Sequence, residues 1–399
     1  MAAEKQLQEI KRLEWLVRNR VIGNMVKQDG KVSVIIPLYN GEKHIEATVN
    51  SILHSDYRNL EVLIINDGST DNSLMICERL RRADNRITIY DKENEGTVSA
   101  RNYGVSRAEG AYLCFCDQDD IVDEKCYSKQ AGRMELDQSD ICMCSVGRSI
   151  DGKRSAFELS DDACYEGDEI LEQLLYPLLF NDFDPPVKMG AKNRYPHIWS
   201  CMFRMDFWKK CRLKFRAYVN FEDDLLVKTQ ALASARRVST IAHIGYYWRV
   251  NLSSETYAHK YIAHLAEKQQ KCYEDMYRSI AGRVGDGQTL ELFKSAVYCR
   301  QYLEAIHNLA SPEKKKTRKT IQQYYEKNIY SRSFEKCITA AKMVKKGKVK
   351  PQIILGLLAG KHTMLSYYAE VILDYVLLIT LHSQTLTKIE RKLKGIRMG

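Results

Sequence analysis

The sequence predicts an α/β protein in which a largely parallel sheet is layered with helices and followed by an all-helical, basic end. Three observations predict it. Apolar, β-branched runs alternate with segments of helical period from about residue 32 to residue 122. Three of those runs stop in polar, acid-rich clusters, and beyond about residue 257 only helical periodicity remains. The predicted organisation is an amphipathic helix over 1–30, an α/β unit over 31–257 and a helical region over 258–399.

The elements follow in order. Leu7, Ile10, Leu13, Leu16 and Val17 recur at helical spacing near the start. Val32–Pro37 is a continuous apolar run, as expected of a strand buried on both faces. Ile45, Val49, Ile52 and Leu53 give a helix, Glu61–Ile65 a second strand, and Leu74–Leu80 a second helix. Ile87–Tyr90, Val98–Val105 and Ala111–Cys116 extend the alternation as strand, helix and strand. The prolines and charges of Asp182–His197 predict a long loop, and Glu222–Leu232 predicts a helix. Val238–Ile241 and Gly245–Val250 then predict two short strands.

Composition narrows the class. With 399 residues, 45% hydrophobic and 28% charged, the chain can bury a large core and is neither fibrous nor disordered. The net charge of +10 is local: residues 311–350 carry 13 Lys/Arg against 3 Asp/Glu. Twelve cysteines show no C-x-x-C pair, and Cys114/Cys116 and Cys142/Cys144 sit in apolar runs, so they predict buried thiols of a reducing compartment. The charged first twenty residues do not resemble a signal peptide. The most apolar late stretch, Met364–Leu381, is interrupted by Glu370 and Asp374. A cytoplasmic protein is expected.

In a parallel sheet, ligands bind beyond the carboxyl ends of the strands. Here those ends are Pro37-Leu38-Tyr39-Asn40, Asn66-Asp67-Gly68-Ser69-Thr70-Asp71 and Asp117-Gln118-Asp119-Asp120. Three carboxylates in four positions repel one another unless a positive charge sits among them. Mg²⁺ or Mn²⁺ suits such a place, since these ions take one or two carboxylates plus substrate phosphates. The alternative is a solvated strand end that caps the next helix. Asp67 likewise serves either a tight turn or a nucleobase N–H.

In sum, VSVIIPLYN, LEVLIINDGSTDNS and KENEGTVSARNYGVSRAEGAYLCFCDQDD resemble the family 2 glycosyltransferases of the GT-A fold, whose nucleotide-binding layer is Rossmann-like. The resemblance covers about residues 32–122 and implies an inverting transferase of the bacterial cell-surface polysaccharide type. It implies that Pro37, Tyr39 and Asp67 contact the nucleobase, with Glu42 nearby, and that Asn94 and Arg101 line the nucleotide pocket. Asp117 would lie near ribose and metal, and Asp119 would be the main metal ligand. HIWSCMFRMDFW, with Trp199, resembles the family's acceptor-side element, although Ser200-Cys201 replaces the frequent Asn-Lys. Phe221-Glu222-Asp223-Asp224 resembles the E-D motif. Glu222 would then lie on the acceptor side and Asp223 would be the catalytic base, with Asp224 leaving the register open by one. Tyr246-Tyr247-Trp248-Arg249, followed by Ser253 and Ser254, resembles the element that closes over the donor diphosphate, which gives Arg249 to phosphate.

The expected activity is transfer from a nucleotide-diphosphate sugar, by default a UDP-sugar, to a glycan or lipid-linked glycan hydroxyl. A dinucleotide oxidoreductase is disfavoured because no G-x-G-x-x-G follows the first strand, and Gly356…Gly360-Lys361 is one residue short of a P-loop. A nucleotidyltransferase on a similar layer and a non-catalytic membrane- or partner-binding protein are the alternatives. Lys314–Lys316, Lys345, Lys346, Lys348 and Lys350 predict an anionic membrane surface as a partner, placing the protein peripherally on the inner face of the cell membrane. Nucleic acid is disfavoured, because no basic groove interleaved with aromatics is apparent.

Overall fold

The computed structural model of the chain describes residues 30–150, 152–181, 183, 185–190, 192, 194–218, 222–250, 261–310, 317–327, 342–344 and 349–373. The expected alternation is present. β1 (Val32–Leu38), β2 (Leu60–Asp67), β3 (Ile87–Lys92) and β4 (Tyr112–Phe115) are joined by α1 (Ile45–Leu53), α2 (Ser73–Ala83) and α3 (Thr97–Arg107). There follow β5 (Ile121–Val122), α4 (Cys126–Asp137), β6 (Ile141–Ile150), β7 (Lys153–Glu158), β8 (Ala163–Glu166) and a helical stretch over 168–179. β9 (Cys201–Arg204), α5 (Met205–Lys210), α6 (Glu222–Ser234) and β10 (Arg237–Arg249) complete this part.

One sheet runs in the order β3-β2-β1-β4-β9-β6-β10-β5, with β7 on β6 and β8 on β10. Along the main path only β9 and β5 run against the rest. The central strands are buried on both faces: Val32, Val34, Ile35, Ile36, Val62, Ile64 and Ile65 are all fully buried, as a covered parallel sheet requires. α1 lays Ile45, Thr48, Val49 and Ile52 on the sheet at helical spacing. α3 approaches β1 so closely that a Cβ on Gly104 would sit 2.5 Å from Cγ2 of Ile35, so only glycine fits there. That approach fixes the position of Arg101, one turn earlier.

The sequence leads one to expect two strands near residues 238–250, but the structure has one. β10 is continuous for 13 residues and shifts register against β6 between Ile241 and Ile244 and again before Tyr246. The irregularity breaks the apolar periodicity without breaking the strand. The eleven described cysteines are all free thiols, nine of them buried.

The chain divides into two units, residues 1–178 with 189–251, and residues 179–188 with 252–399. In the second unit the described elements are α7 (Leu265–Ala281), α8 (Gly287–Ala310), α9 (Arg318–Tyr325), α10 (Val349–Ala359) and a further helix over 363–373. α7 buries Leu265, Cys272, Met276 and Ile280, and α8 buries Phe293, Ala296, Val297 and Ile306. Residues 1–29 of the N-terminal helix expected over 1–30, Phe221, Ser253, Ser254, Lys314–Lys316, Lys345, Lys346, Lys348 and Asp374 lie outside the described residues. Among those described, no helix is long and apolar enough to cross a membrane.

Candidate active site

The carboxyl ends of β1 and β2 are laced together by side chain–backbone bonds. Asn40 takes a left-handed φ of 50°, which its short amide side chain tolerates. Its Oδ1 accepts from the Thr70 amide at 2.8 Å, and its own amide donates to Ser69 Oγ at 3.0 Å. Gly41 N–H donates to Ser73 Oγ and Glu42 N–H to Asp71 Oδ2. The Glu42 carboxylate accepts from both the backbone and the side-chain nitrogen of Asn72, at 3.0 and 2.9 Å. Glu42 therefore holds the entrance of α2.

Tyr39 and Gln118 form a reciprocal pair: Tyr39 N–H donates to Gln118 Oε1 and Gln118 Nε2 donates back to the Tyr39 carbonyl. This ties the end of β1 to the end of β4 and leaves the Tyr39 side chain exposed, while Pro37 is half-buried beside it. Asp67 is 3% exposed. It accepts from Lys92 Nζ at 2.6 Å and from the amides of Glu95 and Gly96 at 3.1 and 2.7 Å. Asp67 thus ties down the loop that enters α3. Asn94, on that loop, is exposed and packs its backbone against Gly68, whose φ of 73° and close neighbour both call for glycine.

The end of β4 is organised differently. Arg101 is buried and its guanidinium meets three carboxylates: Asp117 Oδ1 at 3.0 Å, Asp223 Oδ2 at 3.1 Å and Asp224 Oδ1 at 2.6 Å. Its Cζ lies 5.2 Å from the centroid of the Phe215 ring. Asn102 holds Phe215 in place by bonding both its carbonyl and its amide. One positive charge faces three negative ones, so the cluster is under-neutralised. Burial, then repulsion from Asp224, pushes Asp223 up to about 7 even though Arg101 opposes it. Asp224 has both oxygens engaged, the second by the Ile198 amide at 3.1 Å. Asp223 also accepts from the backbone amide of Asp224, which opposes part of the rise. Glu222 opens α6, and its side chain lies outside the described residues.

Asp119 makes no hydrogen bond or ion pair with another described residue, and burial and Asp117 push it up to about 6. Asp120 has a structural place. It is 1% exposed and accepts from Tyr246 Oη at 2.8 Å and from the Arg249 amide at 2.7 Å, which joins the end of β4 to β10. The Arg249 guanidinium donates to His44 Nδ1 at 2.5 Å. Burial and that charge hold His44 below the usual histidine range, hence neutral and able to accept. The charge of Arg249 also acts on Asp119, placing it on the acidic strand end.

Trp199 is stacked between His197 and Tyr246, with ring centroids 4.1 Å away on either side. Tyr246 Oη in turn accepts from the Asp117 amide. His197 is set by Ser200 Oγ on one nitrogen and Glu158, 2.8 Å from the other. Trp199, Asp117 and Asp120 are thus linked through Tyr246. The structure brings Asp117, Asp119, Arg101, Asp223, Arg249 and Trp199 around one strand end and sets Asp67, Glu42 and Asn94 beside the neighbouring one. Sequence reasoning missed Lys92, Gln118, His44 and Tyr246 as the residues that position these groups. Only Tyr246 carried a signal, as part of Tyr246-Tyr247-Trp248-Arg249.

Comparison with known proteins bears on the family and the fold. Residues 33–195 match the family described as Glycosyl transferase family 2. The chain is 28% identical over 228 residues to the uncharacterized glycosyltransferase EpsJ of Bacillus subtilis and 29% identical over 225 to the putative glycosyltransferase EpsH of the same organism. Each match covers 56% of this chain and 62% of the relative. The crystal structure of S. aureus TarS 1-349 in complex with UDP superposes with a TM-score of 0.57, covering 85% of this chain and 90% of that one at 18% identity. The same protein in complex with UDP-GlcNAc gives the same score. A mostly parallel sheet and an acidic strand end coincide with the family match: residues 33–195 are similar to family 2 of the glycosyltransferases, and the fold is of the GT-A type.

Proposed function

We propose that the chain is an inverting glycosyltransferase that moves a sugar from a nucleotide-diphosphate donor, a UDP-sugar in the first instance, to a hydroxyl of a glycan or lipid-linked glycan. One observation carries the reading: a single buried guanidinium, Arg101, bridges the acidic end of β4 and the carboxylates that open α6. Donor-side and base-side acids are thereby held in one rigid group. TarS, with its likeness of fold, binds UDP and UDP-GlcNAc.

In this reading the base lies against Tyr39 and Pro37, near Asp67, and Arg249 reaches the diphosphate. Asp223 takes the acceptor proton while the hydroxyl attacks the anomeric carbon and the sugar's bond to the nucleotide diphosphate breaks. A folded-state value of about 7 leaves it half-ionised near neutrality, suited to that task. Trp199, half-buried and held flat by its two ring neighbours, faces the acceptor in this reading. Asp119 and the second oxygen of Asp117 fit a divalent cation, Mg²⁺ or Mn²⁺, that completes its shell with donor phosphates. Among the described residues no group of three or more side chains is placed to hold a metal ion by itself. A cation held there would offset the charge that builds on the leaving diphosphate.

The same reading places the protein in the cytoplasm, peripherally on an anionic membrane. Its support is the local basic surplus and the helix over 363–373, which exposes Leu365, Tyr368 and Ile372 along one side. The test is a donor screen that measures nucleotide diphosphate release with Mn²⁺ or Mg²⁺. Release from one sugar nucleotide that is lost in Asp223→Asn supports the transferase; pyrophosphate release from a nucleoside triphosphate and a sugar phosphate would mark a nucleotidyltransferase instead. Flotation with anionic against neutral liposomes tests the membrane placement, and equal binding to both would remove it.

A further inference from the structure

The helical unit contains a cleft of about 190 Å³ between α7 and α8. Tyr273, Tyr277, Phe293 and Tyr298 supply its aromatic surface, and Gln301 reaches it from α8. The volume is below the roughly 300–1,000 Å³ of a site for a drug-sized molecule, so the cleft holds one ring and not an extended chain. Gln301 is 5% exposed, yet its side-chain nitrogen is buried with no hydrogen-bond partner among the described residues. A buried amide N–H₂ without an acceptor costs free energy, and here it belongs to a residue that lines an open cleft.

The charges on the rim say what the occupant is not. Arg278 pairs with Asp275 at 3.2 Å and with Glu274 at 3.6 Å. Lys294 pairs with Glu291 at 2.5 Å while its Nζ sits 4.7 Å from the Tyr277 ring centroid. Both cations are neutralised, so an anion gains little by entering. A purely apolar occupant would leave the Gln301 amide unmet. What remains is an uncharged ring with an apolar face for the tyrosines and a hydroxyl edge for the amide.

We propose that the cleft between α7 and α8 is a second carbohydrate site, taking one neutral pyranose ring. That the ring belongs to the acceptor glycan rests on the transferase reading above; that the cleft binds a sugar does not. The site would keep a growing chain on the protein between transfers, as a second weak contact raises the effective concentration of the first.

The test uses the full chain and saturation-transfer NMR with methyl glucopyranoside, methyl galactopyranoside and methyl N-acetylglucosaminide. At least one should bind with a Kd in the millimolar range and remain bound in excess UDP. Gln301→Leu should weaken it roughly three- to tenfold, the loss of one hydrogen bond. Tyr277→Ala, at a partly exposed position, should weaken it at least as much and serves if Gln301→Leu does not fold. Asp119→Asn should leave this binding intact while losing donor turnover, which separates failure of the cleft from failure of the transferase. Absence of binding by all three glycosides, or binding unchanged in both cleft variants, would overturn the proposal. So would tighter binding of an alkyl chain in Gln301→Leu than of any sugar in the wild type.

Discussion

At the ends of β1 and β2 the polar side chains that shape the loops are mostly satisfied, although Asn66 Oδ1 is buried without a partner among the described residues. Asn40, Glu42, Ser69, Asp71 and Asp67 each bond a neighbouring loop, and the negative charge of Asp67 meets Lys92 and two amides. At the end of β4 and the start of α6 three carboxylates share Arg101, Asp119 has no partner among the described residues, and Asp223 and Asp119 are pushed well above the ordinary carboxylate range. The first region is a finished cradle; the second holds charge that the fold alone does not neutralise. Such unpaid electrostatics is common where function sits, and the contrast indicates which side changes on binding. A donor should fit the β1–β2 side with little rearrangement and should change the protonation of the β4–α6 side.

The largest effect should come from removing the hub. Arg101→Ala leaves three carboxylates around an empty centre, and breaking a buried pair typically costs about 3–5 kcal/mol. Urea unfolding at pH 8 should show a loss of that order, together with loss of turnover. The deficit should shrink as pH falls toward about 7, because without Arg101 to oppose it Asp223 takes up its proton at a higher pH than in the wild type and the repulsion eases. A deficit independent of pH would mean that the cluster is not the source. Arg101→Lys keeps one charge but cannot bridge three acids in a fork, so it should fall between wild type and Ala.

Next come the acids themselves, where activity and stability should part. Asp119→Asn should nearly abolish turnover while leaving the unfolding midpoint unchanged or higher, since it removes a repelled charge. Asp223→Asn should lower turnover by about a hundredfold or more with donor affinity kept. The wild-type kcat/KM should fall as pH drops below about 7, because the folded state holds the proton of Asp223 up to that pH and only the ionised form accepts another. A profile flat from pH 6 to 8 would move the base elsewhere. Asp224→Asn should act mostly on stability, since both oxygens of Asp224 already hold structure. If it proves the more damaging of the two for turnover, the register is off by one.

The two regions also differ in how far they were legible. β1, β2 and β4 announce themselves because burial on both faces demands unbroken apolar runs, and their polar ends follow. β7 gave no such signal, since four of its six residues are exposed, and β10 was split by its own register shifts. Asp223 was recognisable only through family resemblance. Its link to Arg101 spans 122 residues of sequence and no local pattern encodes it. Gln118 stood in plain view between two aspartates, but only the folded chain shows that its amide clamps Tyr39.

The smallest effect should come from the satisfied side, at Glu42. The resemblance puts this carboxylate near the nucleobase, whereas the structure gives it two hydrogen bonds from Asn72. If holding the entrance of α2 is its main work, Glu42→Ala loses bonds worth about 1 kcal/mol net, partly recovered by water because the site is half-open. The unfolding midpoint should then drop by a few degrees at most, and Kd for UDP should change less than threefold. Glu42→Gln, which keeps an acceptor oxygen for Asn72, should restore the midpoint. A large loss of UDP affinity in both variants, at unchanged stability, would instead mean that Glu42 leaves Asn72 and turns to the base when the donor arrives. In that event the β1–β2 side would not be a finished cradle, and the contrast with the β4–α6 side would hold only for the empty protein.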